Sequence, residues 1–255
     1  MTTSEYSIEF DHVSFTLADG RPLLSDLTLE VRTGETLVLL GRSGSGKTTT
    51  MKLINRLLDP SAGEVRVESR STLEWNPIKL RRRIGYVIQE IGLFPHLNVE
   101  ENIALVPRLE QWPTDRIRER VGELLHMVGL EPDRFAKRFP KELSGGQRQR
   151  IGVARALAAD PPIILLDEPF GALDPITRRD LQQEFRALQR RLNKTMVFVT
   201  HDVREALLLA NRIGLLKDGK LILLGAQADL LNSTDPEAQA FAACARDGQS
   251  PGTAS

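Results

Sequence analysis

Apolar positions along the chain follow two different periods, and the switches between them divide it into three stretches. In the first third they recur at every second residue or in short unbroken runs. Strands are therefore predicted at residues 7–10, 13–17 and 26–31, with a turn at Thr33-Gly34. The run Thr36-Leu-Val-Leu-Leu40 is almost wholly apolar, as a parallel strand buried on both faces requires. A helix is predicted over 47–58, stopping ahead of Pro60, and strands over 64–68 and 84–88. From 92 to 160 the period becomes helical. Residues 114–128 and 147–159 are predicted helices, and prolines at 95, 107, 113, 132 and 140 punctuate the stretch. Alternation of strand and helix then returns. Strands are expected at 163–166 and 195–200, helices at 175–192 and 203–210, and a hairpin of 213–216 with 220–224 turns at Asp218-Gly219. Strand–helix alternation on both sides of a helical insert predicts an α/β fold with a parallel sheet. The small, polar residues after Asp247 predict a disordered tail.

Composition narrows the class. Of 255 residues, 41% are hydrophobic and 27% charged, which is ordinary globular usage. Lys+Arg and Asp+Glu both number 34, so the surface as a whole is not built to hold a polyanion. The basic run Lys79-Leu-Arg-Arg-Arg83 reads as a solvated helix face, and Trp75 and Trp112 as packing or surface residues. Cys244 is the single cysteine, which excludes an intrachain disulfide and a multi-thiolate metal site and suits a reducing compartment. No stretch reaches the roughly 18–20 apolar residues of a membrane span. The polar, acidic first ten residues lack the pattern of a secretory signal. A cytoplasmic protein is expected, associating with a membrane only through a partner.

Three local patterns carry chemistry. Gly41-Arg-Ser-Gly-Ser-Gly-Lys47-Thr48 fits G-x-x-x-x-G-K-[ST] and lies between a buried strand and a helix. Glycines let such a turn aim backbone N–H groups inward, and the helix N-terminus adds positive partial charge. Lys47 supplies a cation for β- and γ-phosphates, and the Thr48 hydroxyl a ligand for Mg²⁺. The apolar strand Ile163-Ile-Leu-Leu ends in Asp167 and Glu168. Ligands of parallel sheets bind at the carboxyl ends of strands, so Asp167 is placed to hold Mg²⁺ and Glu168 to polarise water. In Leu143-Ser-Gly-Gly-Gln147, Ser144 is a natural N-cap and paired glycines expose the first N–H groups of a helix. One chain thus holds two phosphate-seeking helix ends.

In order and spacing the set resembles the nucleotide-binding subunit of an ATP-binding-cassette (ABC) transporter. The matching elements are Gly41–Thr48 as Walker A, Gln89 after Tyr86-Val-Ile as Q-loop, and Leu143–Gln147 as signature. Ile163–Glu168 matches Walker B, Ala172-Leu-Asp174 the D-loop, and His201 after Phe198-Val-Thr the switch histidine. The resemblance extends to about Leu231. It implies a P-loop NTPase cassette with a parallel core sheet, an N-terminal antiparallel β subdomain and an inserted α-helical subdomain. Domain bounds follow: one ATPase domain over 1–240, with the core in 1–91 and 159–240, the helical subdomain in 92–158, and a tail at 241–255.

The resemblance also implies roles. Gly41, Arg42, Ser43, Gly44, Ser45, Gly46, Lys47, Thr48 and Thr49 would bind ATP. Thr48, Gln89 and Asp167 would serve Mg²⁺. Glu168 would be the general base, with His201 at the γ-phosphate and Gln89 at the metal and water. Two copies would pair head to tail, so that Ser144, Gly145, Gly146 and Gln147 of one meet the nucleotide of the other, with Asp174 acting across the dimer. The family usually stacks an aromatic ring on adenine; here that slot is Leu17, with Phe15 two residues earlier on the same strand face. Either Phe15 substitutes or Leu17 packs the base more weakly.

The segment from Lys79 to Ile103 with Val106-Pro107, and Asn55-Arg-Leu57, resembles importers of quaternary amines such as glycine betaine, carnitine and choline. The partners implied are a transmembrane permease, received in the region after Gln89, and indirectly a solute-binding protein. The chain would then sit on the inner face of the membrane. Those importers often carry a C-terminal pair of small regulatory domains, for which this sequence ends too early. Amino-acid and lipid-trafficking systems share much of the pattern. Soluble cassettes acting on DNA or ribosomes are disfavoured: only 97 positions separate Lys47 from Ser144, without sustained heptads, and one cassette is present, not two. A GTPase is disfavoured because Asn193-Lys-Thr-Met196 lacks the aspartate of Asn-Lys-x-Asp.

Overall fold

The structure, a computed structural model, describes residues 5–89, 92–171 and 173–247. The chain divides into two compact units, 1–81 with 193–255, and 82–192.

The first unit opens with two long antiparallel strands, β1 (Tyr6–Thr16) and β2 (Pro22–Arg32). The sequence predicted two short strands where β1 is continuous. The break in alternation at Asp11 and His12, both exposed, is a bulge: His12 has φ +49° and the register shifts between Phe10 and Val13. Either side of it, Ile8, Phe10 and Val13 face Val31, Leu29 and Leu27, all buried. β3 (Thr36–Leu40) is buried at every position, as its sequence required. It runs into the glycine-rich turn and then helix α1 (Lys47–Ile54). That helix ends four residues earlier than predicted. Arg56 turns left-handed at φ +51°, and the N–H groups of Leu57 and Leu58 fold back to the Lys52 carbonyl at 2.9 and 3.1 Å. β4 (Ala62–Val67) and β5 (Arg70–Ser71) complete an antiparallel sheet of order β2-β1-β4-β5. Helix α2 (Pro77–Arg82) carries part of the basic run, with only Leu80 buried.

The second unit holds the parallel pair β6 (Ile84–Val87) and β7 (Ile163–Asp167), with Val87 opposite Leu166. Between them lie α3 (Val99–Ile103), α4 (Leu105–Leu109), α5 (Thr114–Met127), α6 (Pro132–Phe135) and α7 (Gly145–Leu157). α3, α4 and α6 are too short to show helical periodicity. The Asn98/Glu101 capping box was nevertheless a readable start signal for α3. α8 (Pro175–Leu192) matches its predicted limits and buries Leu181, Phe185 and Leu188, one stripe at helical spacing.

The chain returns to the first unit with β8 (Thr195–Thr200) and α9 (Val203–Leu209). The hairpin β9 (Arg212–Lys217) and β10 (Lys220–Gly225) follows, then α10 (Gln227–Leu231) and α11 (Pro236–Asp247). β3 lies between β8 and β9, parallel to both, and β10 closes the edge antiparallel to β9. Positive φ at Asp218 (+49°) and Gly219 (+77°) gives the hairpin a two-residue turn. α11 runs through residue 240, where the sequence reading ended the domain. It is anchored by the fully buried Ala238 and Phe241. The tail predicted after Asp247 lies outside the described residues.

Candidate nucleotide-binding site

In the first unit the turn between β3 and α1 is tightly enclosed. A Cβ on Gly41 would stand 2.3 Å from the Leu216 carbonyl oxygen, so the backbone of β9 passes where only glycine fits. Gly46 has φ +102°, and a Cβ there would meet Leu24 Cδ2 at 2.5 Å. Gly46 is also the N-cap of α1 and provides no side-chain cap, so the helix end is not blocked by one of its own side chains. Lys47 is buried. Its ammonium donates to the carbonyls of Gly41 and Arg42, both at 2.8 Å, and lies 3.5 Å from Ser45 Oγ. Arg42, Ser43 and Gly44 form the exposed crest, Ser45 is buried beneath it, and Thr48 and Thr49 are half-buried on the first turn of α1.

Phe15 and Leu17, expected on one strand face, part company. Phe15 is in β1, opposite Leu24. Leu17 lies past the strand end in a tight turn, its N–H donating to the Arg21 carbonyl at 2.9 Å and its own carbonyl accepting from Gly20 at 2.9 Å. Both are half-buried. His201 is exposed immediately after β8. Its neighbours are pinned: Thr200 donates to the buried Glu205 carboxylate at 2.5 Å and accepts from the Asp202 N–H at 3.0 Å, and Asp202 caps α9.

In the second unit the parallel register of β6 and β7 brings Gln89 and Glu168 abreast. Gln89 Nε2 donates to Glu168 Oε2 at 3.3 Å. Glu168 has φ +43°, a left-handed backbone at a residue that is not glycine. Such strain concentrates where a side chain has to be aimed. Asp167, the last residue of β7, is 3% exposed and accepts from the Tyr86 hydroxyl at 3.4 Å. Burial, and then the neighbouring Asp167 charge, raise Tyr86 above its ordinary value of 10.0, so the phenol stays a donor. From sequence Tyr86 served only to mark the approach to Gln89, three residues on, and no role was assigned to it.

Ser144 caps α7. Its Oγ accepts from the Gln147 N–H at 3.2 Å, and Gln147 Oε1 accepts from the Ser144 N–H at 3.0 Å. Gly145 is half-buried and Gly146 buried; a Cβ on Gly146 would meet Thr177 Cγ2 at 2.8 Å. Asp174 is exposed and accepts from the Thr177 N–H at 3.0 Å, capping α8. Thr177, first by its side chain and then by its backbone N–H, holds the Asp174 carboxyl below the usual carboxylate range. Arg178, also missed in the sequence, donates to the carbonyls of Phe170, Gly171 and Leu173 at 3.1, 3.2 and 3.0 Å and braces the segment leading to Asp174. Ala172, part of the expected D-loop, lies outside the described residues.

A glycine-rich turn between a buried strand and a helix, together with a capped Ser-Gly-Gly helix start, is the arrangement of an ATP-binding cassette. The ABC transporter family model matches residues 24–171, and the chain belongs to that family. It is 52% identical over 226 residues to the glycine betaine/carnitine/choline transport ATP-binding protein OpuCA of Bacillus subtilis, a match covering 89% of this chain and 59% of that protein. It is 50% identical over 218 residues to the glycine betaine uptake system ATP-binding protein YehX of Escherichia coli, covering 86% and 70%. The chain thus spans about three fifths of the length of the first of these relatives. Among solved structures, cbiO1 of Clostridium perfringens, part of an ABC transporter complex, superposes with a TM-score of 0.82 at 27% identity, covering 90% of this chain and 92% of that one. A dimeric cassette in a post-hydrolysis state with ADP and Pi superposes with a TM-score of 0.77 at 37% identity, covering 86% and 98%. Among the described residues no helix is long and apolar enough to cross a membrane.

Proposed function

We propose that this chain is the ATP-binding and ATP-hydrolysing subunit of an ABC importer for osmoprotectant quaternary amines. It works as a homodimer formed on ATP binding and is attached to a permease at the inner face of the membrane. The substrate class rests on the identities of 50–52% to proteins named for glycine betaine, carnitine and choline.

The reaction assigned is attack of water on the γ-phosphorus. The bond from that phosphorus to the bridging oxygen breaks, ADP leaves with the bond's electrons, and inorganic phosphate forms. Glu168 takes the proton from the attacking water, and Gln89 holds the Glu168 carboxylate. Lys47 and the backbone N–H groups of the 41–49 turn bind the phosphates, and His201 steadies the γ-phosphate. Ser144, Gly145, Gly146 and Gln147 act on the nucleotide of the other copy, with Asp174 beside them. At the adenine, either Phe15 takes the place of the usual aromatic ring or Leu17 packs the base more weakly.

The donors assigned to Mg²⁺ are the Thr48 hydroxyl, the Asp167 carboxylate and the Gln89 side-chain oxygen. All are hard oxygen ligands, the kind Mg²⁺ takes alongside substrate phosphates. When bound, the ion would neutralise charge on those phosphates. Among the described residues no cluster of three or more His, Cys, Asp or Glu is placed to hold a metal ion.

The observation that carries the enzymatic reading is Glu168: a carboxylate next to the buried Asp167, turned by a left-handed backbone and tied to Gln89. The test is Mg²⁺-dependent release of phosphate from ATP by the full chain. Release by the wild type that disappears in Glu168→Gln supports the reading; a wild type without it, or a variant with full turnover, overturns it.

A further inference from the structure

The phosphate-binding turn is gripped from the C-terminal side of its own unit. The Leu216 carbonyl packs against Gly41. The Gly219 N–H donates to the Ser45 carbonyl at 3.2 Å. The third hold is a side chain: Glu237 Oε1 accepts from Arg42 Nε at 2.6 Å, across 195 positions of sequence.

Glu237 is built to make that contact. Asp235 caps α11, its Oδ1 accepting from the Glu237 and Ala238 N–H groups at 2.8 and 3.1 Å, so Glu237 lies in the first helical turn, where negative charge is favoured. Buried Ala238 and Phe241 fix that turn. The Glu237 side chain is 9% exposed, and a carboxylate so buried needs a cation. Arg42 provides the close partner; Lys217 Nζ stands at 3.9 Å from the other oxygen. Arg42 in turn lends its carbonyl to the Lys47 ammonium at 2.8 Å. A line of contacts therefore runs from α11 through Glu237 and Arg42 to the lysine of the turn.

We propose that Glu237 is a positioning residue for nucleotide binding: by holding Arg42 it fixes the carbonyl that orients Lys47, so α11 sets the affinity of the turn for the triphosphate. The proposal rests on the reading of residues 41–49 as the ATP site. Hydrolysis chemistry is left aside by it, since the cations that Glu237 meets, Arg42 and Lys217, are not assigned to activate water. Its effect belongs in Kd and KM, not in kcat.

The test compares full-length wild type, Glu237→Ala, Glu237→Gln, Arg42→Ala and the Arg42→Ala/Glu237→Ala pair. A fluorescent ATP analogue reads Kd, steady-state hydrolysis reads KM and kcat, and thermal unfolding reads stability. Glu237→Ala raises Kd and KM about fivefold with kcat within about twofold, the size expected of a charge-assisted contact to a half-exposed arginine. Glu237→Gln, which keeps an oxygen acceptor, falls between. In the pair, losing Glu237 adds nothing to losing Arg42. The proposal is overturned if Glu237→Ala and Glu237→Gln bind the analogue like wild type while melting lower, since Glu237 then only docks α11. It is equally overturned if kcat falls with KM unchanged, or if the two alanine losses add. Should Glu237→Ala not fold, Glu237→Gln and Arg42→Ala decide. A wild type that binds no analogue would instead defeat the reading of the turn as the ATP site.

Discussion

Gln89 and Glu168 are separated by 79 positions in sequence, and the amide of one donates to the carboxylate of the other at 3.3 Å. Parallel pairing of β6 with β7 makes the contact, because Val87 and Leu166 are opposite and each side chain follows two residues later. The bond holds Glu168 but does not take its charge.

Replacing Glu168 by Gln removes the carboxylate proposed as proton acceptor and keeps the size of the side chain. Turnover is expected to fall about 10²–10⁴-fold, the typical worth of a general base. Nucleotide binding is retained and ATP-bound dimers accumulate. Phosphate release and size-exclusion chromatography with ATP check both; dimers that form equally without nucleotide would contradict the cycle.

Lys47→Ala removes the cation caged by the Gly41 and Arg42 carbonyls. Loss of charge-assisted contacts to phosphate is expected to weaken ATP binding at least about tenfold. The fold is expected to be retained, because a water entering the space left by the side chain can donate to both carbonyls. Equilibrium binding and circular dichroism distinguish this outcome from unfolding.

Tyr86 gives a pH signature. Its folded-state value is raised above 10.0, so the unfolded chain releases this proton first. Its contribution to stability is therefore complete below about pH 10 and is lost as the pH climbs from there toward the folded value. Tyr86→Phe is expected to cost about 1 kcal/mol at neutral pH by removing the donor to Asp167. It is also expected to flatten the alkaline decline. Urea unfolding at pH 8 and at increasing pH above 10 measures both; parallel curves for variant and wild type would refute the assignment.

Asp174 separates a helix cap from a role across the dimer. Its carboxyl is lowered, so the capping contribution is present above the ordinary carboxylate value of 3.8 and is lost as the pH falls through the folded value. Asp174→Asn keeps an oxygen for the Thr177 N–H and is expected to hold the melting temperature, whereas Asp174→Ala lowers it. If Asp174 also acts on the partner copy, Asn reduces turnover at unchanged stability. Full turnover by Asp174→Asn would leave only the cap.

Local physics made part of this protein legible. The apolar runs of β3 and β7, the amphipathic stripe of α8 and the Asp218-Gly219 turn announced themselves, because periodicity and turn chemistry act within a few residues. The glycine-rich turn could be read for the same reason: Gly41 and Gly46 answer to backbone demands that few other residues meet. α11 was not predicted, although the Asp235 cap and the proline beside it were local signals of it, and nothing local marked Glu237 as a neighbour of the turn. Phe15 and Leu17 were placed on one face by a two-residue period that ends with β1.

What the amino-acid order alone settled was the kind of protein: an α/β cassette whose Lys47, Ser144, Asp167 and Glu168 stand in fixed succession. Only the folded chain decided which side chains hold those residues in place. Tyr86 meets Asp167, Gln89 meets Glu168 and Arg42 meets Glu237, each across tens to hundreds of positions. Such contacts depend on strand register and helix docking, which sum many weak burial terms from distant segments and leave no mark at any single position.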